Sequence, residues 1–218
     1  MLFLAACSIR KRTRNCQRTR PRPCVAWEGS KFSVKYPMID AKSDNTLVTF
    51  STALGWAAMI GSGRLLKQLT FGHPTAGAAI AALDPAVLAE ARPGRWNPTL
   101  VRQLRAFAAG RPEQFDDVEV DIRGLSPFQR RVVDHCRRIP YGSTTTYGVL
   151  AAKAGSPRAA RAVGNCMAAN RFPLVIPCHR VIPSSGQLGQ YSAPGGPDTK
   201  KRLLAMESAN LGRKGGKK

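Results

Sequence analysis

Residues 140–170 read PYGSTTTYGVLAAKAGSPRAARAVGNCMAAN, and this stretch carries the start and stop signals of two short helices. The first helix is predicted over residues 145–154, where Gly155 ends it. Ser156 is the predicted N-cap of a second helix over residues 157–169, with a proline in its first turn. Two helices joined by so short a turn form a helix-turn-helix, a motif that often binds DNA.

The second of these helices has an unusually smooth surface. Between Arg158 and Asn170 it is mostly Ala and Gly, while Arg158 and Arg161 stand three residues apart on one side. Small residues would let the helix approach a nucleic-acid groove closely, and the arginines would meet phosphates or bases. An alanine-rich core helix with arginines facing solvent fits the same letters equally well.

The net charge favours a polyanionic partner. The chain has 34 Lys and Arg against 13 Asp and Glu, a formal charge of +21 and a pI near 10.8. Without the basic ends, residues 1–30 and 213–218, 23 basic and 12 acidic residues remain. The excess of basic residues therefore extends into the region predicted to fold. It indicates either a nucleic-acid partner or a cationic surface that is only solvated.

Residues 172–183, FPLVIPCHRVIP, place a thiol between two apolar runs. PLVI predicts a short buried strand that ends at Pro177 and leaves Cys178 on a rigid turn. His179 and Arg180 are the residue types that activate a catalytic thiol, but a buried thiol beside surface charges is the alternative interpretation. None of the six cysteines forms a C-x-x-C pair, so no zinc ribbon or disulfide scaffold is indicated.

The first half of the chain predicts a small sheet followed by helices. Three apolar runs lie within residues 45–71, and the last two are joined by GSG, which indicates a hairpin. An alanine-rich stretch over residues 75–91 is broken at Asp84, and a cleaner helix runs over residues 97–109. His73, between Gly and Pro, is interpreted as a turn residue, with a ligand role as the alternative.

A capping box opens the second half. Ser126 is the predicted N-cap, and Gln129 reaches back to it. Phe128, Val132 and Cys136 then fall on one helical face, so that Cys136 is expected to be a buried core thiol.

Four stretches resemble one known family. IPYGSTTTYGVLAAKAG, RAARAVGNCMAAN, PLVIPCHRVI and GQYSAPGG, in this order and spacing, closely resemble the O6-alkylguanine-DNA alkyltransferases. The resemblance covers residues 120–210 and is looser over residues 45–115. It implies an α/β fold with a small ribonuclease-H-like N-terminal lobe, an antiparallel sheet plus helices, and a mostly helical C-terminal lobe with a winged-helix-like helix-turn-helix. The predicted divisions are a basic disordered tail 1–33, an N-terminal domain 34–118, a C-terminal DNA-binding and methyl-acceptor domain 119–210 and a basic tail 211–218.

The resemblance implies a catalytic role for five residues. Cys178 accepts the alkyl group, and His179 takes the thiol proton through a water molecule. Glu207 orients that histidine. Tyr147 hydrogen-bonds the target guanine and helps it leave neutral, while Asn170 holds the turn before the cysteine.

The resemblance also implies contacts with the base and the duplex. The backbone of Val181 and Ser192 contacts the flipped base, and Tyr191 lines its pocket. Arg161 fills the gap left by the extruded nucleotide, and Met167 probes the minor groove. The predicted DNA-contacting residues are Arg158, Arg161, Met167 and Arg180.

The expected function is direct reversal of DNA damage. The methyl group of O6-methylguanine, and less readily that of O4-methylthymine, passes irreversibly to Cys178 in a single turnover with base flipping. The partner is double-stranded DNA carrying O6-alkylguanine, bound in its minor groove by a monomer. No cofactor, metal or membrane is expected, and the location is the cytoplasm with its nucleoid in a bacterium or the nucleus in a eukaryote.

Two other classes stay open on the sequence. A lesion-binding protein shares the helix-turn-helix but does not need the thiol, and a cysteine hydrolase needs the thiol but not the arginine-bearing helix. Asn165-Cys166 stands where relatives have small residues, and the pocket loop SAPGGPDTK contains prolines. These two departures leave open the size of the alkyl group accepted.

Overall fold

The computed structural model describes residues 44–212, and the predicted tails and the predicted start of order near Val34 lie outside that range. Seven α-helices and six short or medium strands are present within it. The strands are β1 Asn45–Thr52, β2 Gly55–Ser62, β3 Leu65–His73, β4 Ala91–Pro93, β5 Thr145–Thr146 and β6 Val181–Ile182. The helices are α1 Ala76–Ala81, α2 Pro85–Ala89, α3 Pro98–Ala108, α4 Pro127–Arg137, α5 Tyr147–Lys153, α6 Ala160–Ala168 and α7 Gly196–Gly212.

The first half builds a four-stranded mixed sheet. Its order is β3-β2-β1-β4, with β1, β2 and β3 antiparallel and β4 parallel to β1. This pairing of β2 with β3 confirms the predicted hairpin. Gly63 supplies the positive φ that its tight turn needs. Gly61 is required for packing, since a Cβ there would lie 2.1 Å from the Trp96 ring. The α/β class expected from the sequence is therefore correct, but the expected antiparallel sheet is mixed instead, because β4 returns to pair with β1 in the parallel direction.

The helices that cover this sheet begin where the sequence places their caps. Asp84 separates α1 from α2, and its carboxylate accepts the Ala86 N–H. Asn97 adopts a left-handed conformation and caps α3 by accepting the Leu100 N–H. The apolar face of α3 is buried, and each of its large side chains, Leu100, Leu104 and Phe107, contributes about 1.5 to 3 kcal/mol of burial free energy.

The second half is joined to the sheet through the edge of β3. Leu66 forms a parallel bridge with Val120, so the connecting segment continues the sheet. The capping box of α4 is present, with Ser126 and Gln129 each bonded to the other's backbone, and Cys136 is fully buried as predicted. Residues 44–212 lie in one compact unit, and the predicted domain boundary near residue 118 stays a prediction.

The helix-turn-helix is present, but both of its helices are shorter than predicted. Residues 145–146 pair with β6 as a two-residue strand, so α5 begins at Tyr147 with Thr146 as its N-cap. Ser156 was predicted to cap the second helix, and this is wrong. Its carbonyl instead accepts the Ala159 N–H in a turn, and α6 begins at Ala160 without a side-chain cap.

The PLVI segment is buried, but it is not the strand that was predicted. Leu174 has a φ of 71°, and Pro173 and Ile176 form only an isolated bridge across the resulting turn. The Ile176 N–H donates to the Phe172 carbonyl at 2.8 Å, which closes the turn. A run of four apolar residues shows burial but has no periodicity, so it cannot distinguish a strand from a buried turn. Within residues 44–212, no helix is both long enough and apolar enough to cross a membrane.

Candidate active site around Cys178

Cys178 begins a single turn of 3-10 helix, Cys178–Arg180, immediately after the buried PLVI turn. Only 4% of the residue is exposed. The Asn170 side-chain amide donates to the Cys178 sulfur at 3.1 Å and to the Ile176 carbonyl at 3.0 Å. Asn170 also accepts the Phe172 N–H through its amide oxygen. One side chain therefore holds both ends of the turn that precedes Cys178 and also contacts the sulfur.

The environment of the thiol disfavours spontaneous ionisation. Burial raises the pKa of Cys178, while the hydrogen bond from Asn170 and the positive charge of Lys200 act in the opposite direction. The net direction is upward, so the thiol is protonated at neutral pH. A nucleophilic sulfur here needs a base that removes its proton.

His179, the next residue, has the properties of such a base. It is fully buried, and its ring packs edge-on against Phe107 of α3 with centroids 6.3 Å apart. Its Nε2 lies 2.9 Å from the Glu207 carboxylate, whereas its buried Nδ1 has no hydrogen-bond partner within residues 44–212. Burial lowers the pKa of His179 even though Glu207 opposes that effect, so the ring is neutral at pH 7. With the proton on Nε2 facing the carboxylate, Nδ1 is the basic nitrogen.

Glu207 on α7 is the centre of a buried charge cluster. Its carboxylate accepts hydrogen bonds from His179, from the Arg180 guanidinium at 2.9 to 3.2 Å and from the Gly142 N–H at 2.9 Å. Burial alone would raise the pKa of Glu207, but the hydrogen bonds and charges of His179 and Arg180 outweigh it and hold the pKa at about 2. The predicted pairing of Glu207 with His179 is thus present in the geometry.

Arg180 was predicted to contact DNA, and its position contradicts that prediction. The residue is 6% exposed, its Nε and one terminal nitrogen bind Glu207, and the other terminal nitrogen donates to the Ile139 carbonyl. Its guanidinium also lies over the Tyr141 ring. All of its donors point inward because the Glu207 carboxylate needs a buried counter-charge.

Lys200 is a site residue that the sequence prediction missed. It is fully buried, donates to the Val181 carbonyl at 2.7 Å and lies 6.0 Å from the centre of the Tyr147 ring. Burial lowers the pKa of Lys200. Lysines are rarely buried, and Lys200 stands in a basic run, so composition gives no hint. Helical spacing is the one available signal, since Lys200, Leu203 and Glu207 share one face of α7.

A cavity of about 350 Å³ opens onto the sulfur. Tyr147, Gln190, Tyr191 and Ser192 line it. Burial raises the pKa of Tyr191 well above its ordinary value, and the neighbouring Cys178 raises it further, so the phenol stays a neutral donor. The remaining wall is α6, which contributes Gly164, Met167 and Ala168.

Two predicted contacts take a different place in the structure. Met167 was expected to probe the minor groove, but it is 5% exposed and forms part of the cavity wall. Its side chain faces inward because it lies on the same face of α6 as the buried Val163. Val181 was expected to offer its backbone to the base. Its N–H already donates to the Cys178 carbonyl, and its own carbonyl accepts from Lys200.

The exposed arginines of the helix-turn-helix lie outside this cavity. Arg158 is in the turn before α6 and Arg161 is in its first turn, and both are exposed. Neither forms an ion pair within the described residues. The same short helix therefore carries an arginine on its outer surface and the cavity wall on its inner one. No group of three or more His, Cys, Asp or Glu residues that could hold a metal occurs in residues 44–212.

The fold and this geometry define a class of protein: an α/β protein with a buried cysteine at the base of a cavity, next to a neutral histidine that is hydrogen-bonded to a carboxylate. The family described as 6-O-methylguanine DNA methyltransferase, DNA binding domain, matches residues 127–209. The OGT of Mycobacterium tuberculosis, solved in complex with DNA, aligns with a TM-score of 0.64 and 36% identity over 75% of this chain and 93% of that chain.

Curated relatives lead to the same family. The methylated-DNA–protein-cysteine methyltransferase of Mycolicibacterium paratuberculosis is 50% identical over 49% of this chain and 62% of its own length. That of Methanothermobacter thermautotrophicus is 48% identical over 51% of this chain and 61% of its own length. The match thus spans about three-fifths of these relatives. The chain belongs to the O6-alkylguanine-DNA alkyltransferase family, the methylated-DNA–protein-cysteine methyltransferases.

Proposed function

We propose that this protein repairs DNA by transferring the methyl group of O6-methylguanine to its own Cys178. The observation that carries the proposal is the arrangement of Cys178, Asn170, His179 and Glu207 at the base of a cavity large enough for a purine. Family membership and the net charge of +21 support it, since the relatives are named for this reaction and DNA is a polyanion.

The chemistry follows from the protonation states. His179 Nδ1 takes the Cys178 proton through a bridging water, and Glu207 stabilises the imidazolium that forms. The sulfur then attacks the methyl carbon, so that the S–C bond forms while the C–O6 bond breaks and its electron pair moves onto the guanine. Tyr147 hydrogen-bonds the departing base and passes it a proton, which the proton held by His179 replaces through solvent, so that the thiol proton ends on neutral guanine and the methyl group on sulfur. The thioether has no ready leaving path, so each molecule acts once.

Base flipping delivers the methyl carbon to a thiol that is 4% exposed. A base inside a duplex cannot reach this sulfur, and a damaged, weakly paired base is the least costly to extrude. We place the minor groove against α6, with Arg161 filling the gap in the stack and Arg158 contacting a phosphate. The complex of the related Mycobacterium tuberculosis OGT with DNA supports DNA as the partner.

The finer architecture belongs to the same proposal. We assign a ribonuclease-H-like topology to the half that contains the four-stranded sheet and a winged-helix-like topology to the half that contains α5 and α6, with the division near residue 118. The protein acts as a monomer on DNA, in the cytoplasm of a bacterium or the nucleus of a eukaryote. Ser192 and Tyr191 contact the flipped base, and O4-methylthymine is a poorer substrate.

Intact-mass measurement tests the proposal directly. Incubation with duplex DNA carrying O6-methylguanine should add one methyl group to the protein, and Cys178→Ser should stay unmodified. Tight binding without a mass change would instead support a lesion-binding protein. Turnover of an ester substrate without methyl transfer would support a cysteine hydrolase.

A further inference from the structure

Tyr191 carries a hydroxyl group that is buried without a regular hydrogen bond. The residue lies in the loop between β6 and α7 and lines the cavity above Cys178, so it is partly exposed. Its hydroxyl oxygen, in contrast, is buried and forms no hydrogen bond of regular geometry within residues 44–212. The part of Tyr191 that meets the cavity is therefore not the hydroxyl.

The buried hydroxyl lies beside the Cys178 sulfur. Burial raises the pKa of Cys178, and contact with the Tyr191 hydroxyl is among the interactions that lower it, after the hydrogen bond from Asn170 and the charge of Lys200. Conversely, burial and then the neighbouring Cys178 raise the pKa of Tyr191 well above its ordinary value. The two groups therefore act on each other, and the phenol keeps its proton at neutral pH.

The strength of this contact depends on the protonation state of the sulfur. A neutral thiol is a weak acceptor, so the phenol proton gains little from it. A thiolate is a charged acceptor, and hydrogen bonds to charged groups are roughly twice as strong as neutral ones. The Tyr191 hydroxyl is thus poorly satisfied before the reaction and becomes satisfied once Cys178 has lost its proton.

Asn170 already donates to the same sulfur from another segment of the chain. Its amide nitrogen lies 3.1 Å from Cys178 Sγ, and it follows α6, whereas Tyr191 precedes α7. Lys200 adds positive charge nearby, but its amino group is bonded to the Val181 carbonyl. Fixed donors aimed at a developing negative charge are the arrangement by which enzymes stabilise oxyanions, and the same physics applies to a sulfur anion.

We propose that Tyr191 is a catalytic residue whose hydroxyl donates a hydrogen bond to the Cys178 thiolate, so that Asn170 and Tyr191 together form a two-donor site for the negative sulfur. The inference rests on the proposed function and adds one group to its chemistry. The thiol proton passes to His179 through water, and Tyr191 keeps its own proton. When the S–C bond forms and the C–O6 bond breaks, the charge leaves the sulfur and the contact weakens again.

Tyr191→Phe tests the proposal because it removes the hydroxyl and keeps the ring. Loss of one hydrogen bond to a charged group should reduce the thiolate population about tenfold at a pH below the pKa of Cys178. The remaining thiolate is more basic and hence more nucleophilic, with a Brønsted coefficient of about 0.5, which restores about threefold of the rate. Alkylation by free O6-benzylguanine at pH 7, followed by intact mass, should therefore be about threefold slower than in the wild type.

The pH dependence separates this role from a packing role. The ratio of the wild-type rate to the variant rate should fall as the pH is raised from 7 toward the pKa of Cys178, because the wild-type thiolate population saturates first. A ratio that does not fall with pH, or equal rates at every pH, would overturn the inference. The other titratable or charged groups around the sulfur are common to both proteins and cancel in the ratio; they are His179, Glu207, Arg180, Lys200, Tyr147, Cys136 and Cys166.

Tyr141→Phe is the matched control, since it removes a phenol hydroxyl that is bonded to the Gly110 carbonyl. It should keep the wild-type rate and pH profile but lower the midpoint of urea unfolding. Tyr191→Phe should leave that midpoint unchanged, because its hydroxyl has no strong partner in the resting protein. An equal loss of stability in Tyr191→Phe would overturn the inference. If O6-methylguanine in duplex DNA fails to alkylate the wild type, the proposed function is overturned and this inference with it.

Discussion

The buried charges beneath Cys178 and the exposed arginines of α6 come from one strongly basic chain, yet their surroundings differ in every respect. Arg180 is enclosed by Glu207, a backbone carbonyl and the Tyr141 ring. Arg158 and Arg161 face solvent and form no ion pair within residues 44–212. The difference shows that charge in the first region fixes the geometry beside Cys178, whereas charge in the second is available to a partner.

The largest difference between the two regions is expected when one arginine is removed from each. Arg180→Ala should lower the free energy of unfolding by about 3 to 5 kcal/mol, because it leaves the Glu207 carboxylate buried without its counter-charge. Arg158→Ala should change it by less than about 0.5 kcal/mol. Urea unfolding of both variants measures the difference. Equal effects would show that Arg180 is not the structural counter-ion described above.

Acid should lower the free energy of unfolding through the buried carboxylate of Glu207. The pKa of Glu207 is about 2 in the folded protein, compared with an ordinary value of 4.5. The contribution of Glu207 to the free energy of unfolding is therefore complete above pH 4.5 and is lost as the pH falls toward 2. The loss amounts to roughly 3 kcal/mol.

Subtracting the pH–stability curve of Glu207→Gln from that of the wild type isolates this term, because the contribution of Asp121, whose pKa is also about 2, cancels. A difference curve that is flat between pH 4.5 and 2 would contradict the assignment.

Asn170 contacts the Cys178 sulfur, and removal of its side chain should slow the alkyl-transfer step. Asn170→Ala loses a hydrogen bond that favours the thiolate, so the pKa of Cys178 rises further and transfer slows by roughly 10- to 100-fold. Free O6-benzylguanine and duplex substrate should be affected alike, and the rate profile should shift to higher pH. Asn165→Ala, at an exposed position on α6, is the matched control and should retain the wild-type profile.

The exposed region should matter only when the substrate is a duplex. Arg161→Ala should slow repair of O6-methylguanine in duplex DNA by about tenfold or more, because the gap left by the flipped base stays unfilled. Its reaction with free O6-benzylguanine should be unchanged. A parallel loss with both substrates would place Arg161 in the folding or chemistry of the site instead.

The smallest expected effect concerns a single phosphate contact. Arg158→Ala should reduce the slope of log affinity against log salt by about 0.9 and weaken binding similarly on all sequences. Fluorescence anisotropy with undamaged duplex at several salt concentrations measures this slope. An unchanged slope would mean that Arg158 does not contact the DNA backbone.

Local signals in the sequence predicted three helix starts whose bonding partners are close along the chain, but they failed at α6, which Ser156 does not cap. The caps at Asn97 and Ser126 and the break at Asp84 depend on bonds that reach only two or three residues ahead, so the letters themselves specify them. The PLVI run lacked such a signal, since its turn depends on the left-handed conformation of Leu174.

Long-range partners explain the remaining differences. Arg180 lies inside because of Glu207, which is 27 residues later, and Lys200 is buried through a carbonyl 19 residues earlier. Neither contact leaves a signal in the neighbouring sequence, so Arg180, next to Cys178, was predicted to contact DNA. Resemblance to a family supplied the pairing of His179 with Glu207, which spacing alone did not suggest.

The position of α6 has a practical consequence for redesign. Gly164 and Ala168 border the cavity, while Arg161 stands on the outer surface of the same nine-residue helix. A Cβ added at Gly164 would meet nothing within 4 Å, so a small side chain there would narrow the cavity without displacing the helix that carries the arginine. The width of the cavity and the charge on the outer surface of α6 can therefore be changed separately within one short helix, the first at Gly164 and the second at Arg161.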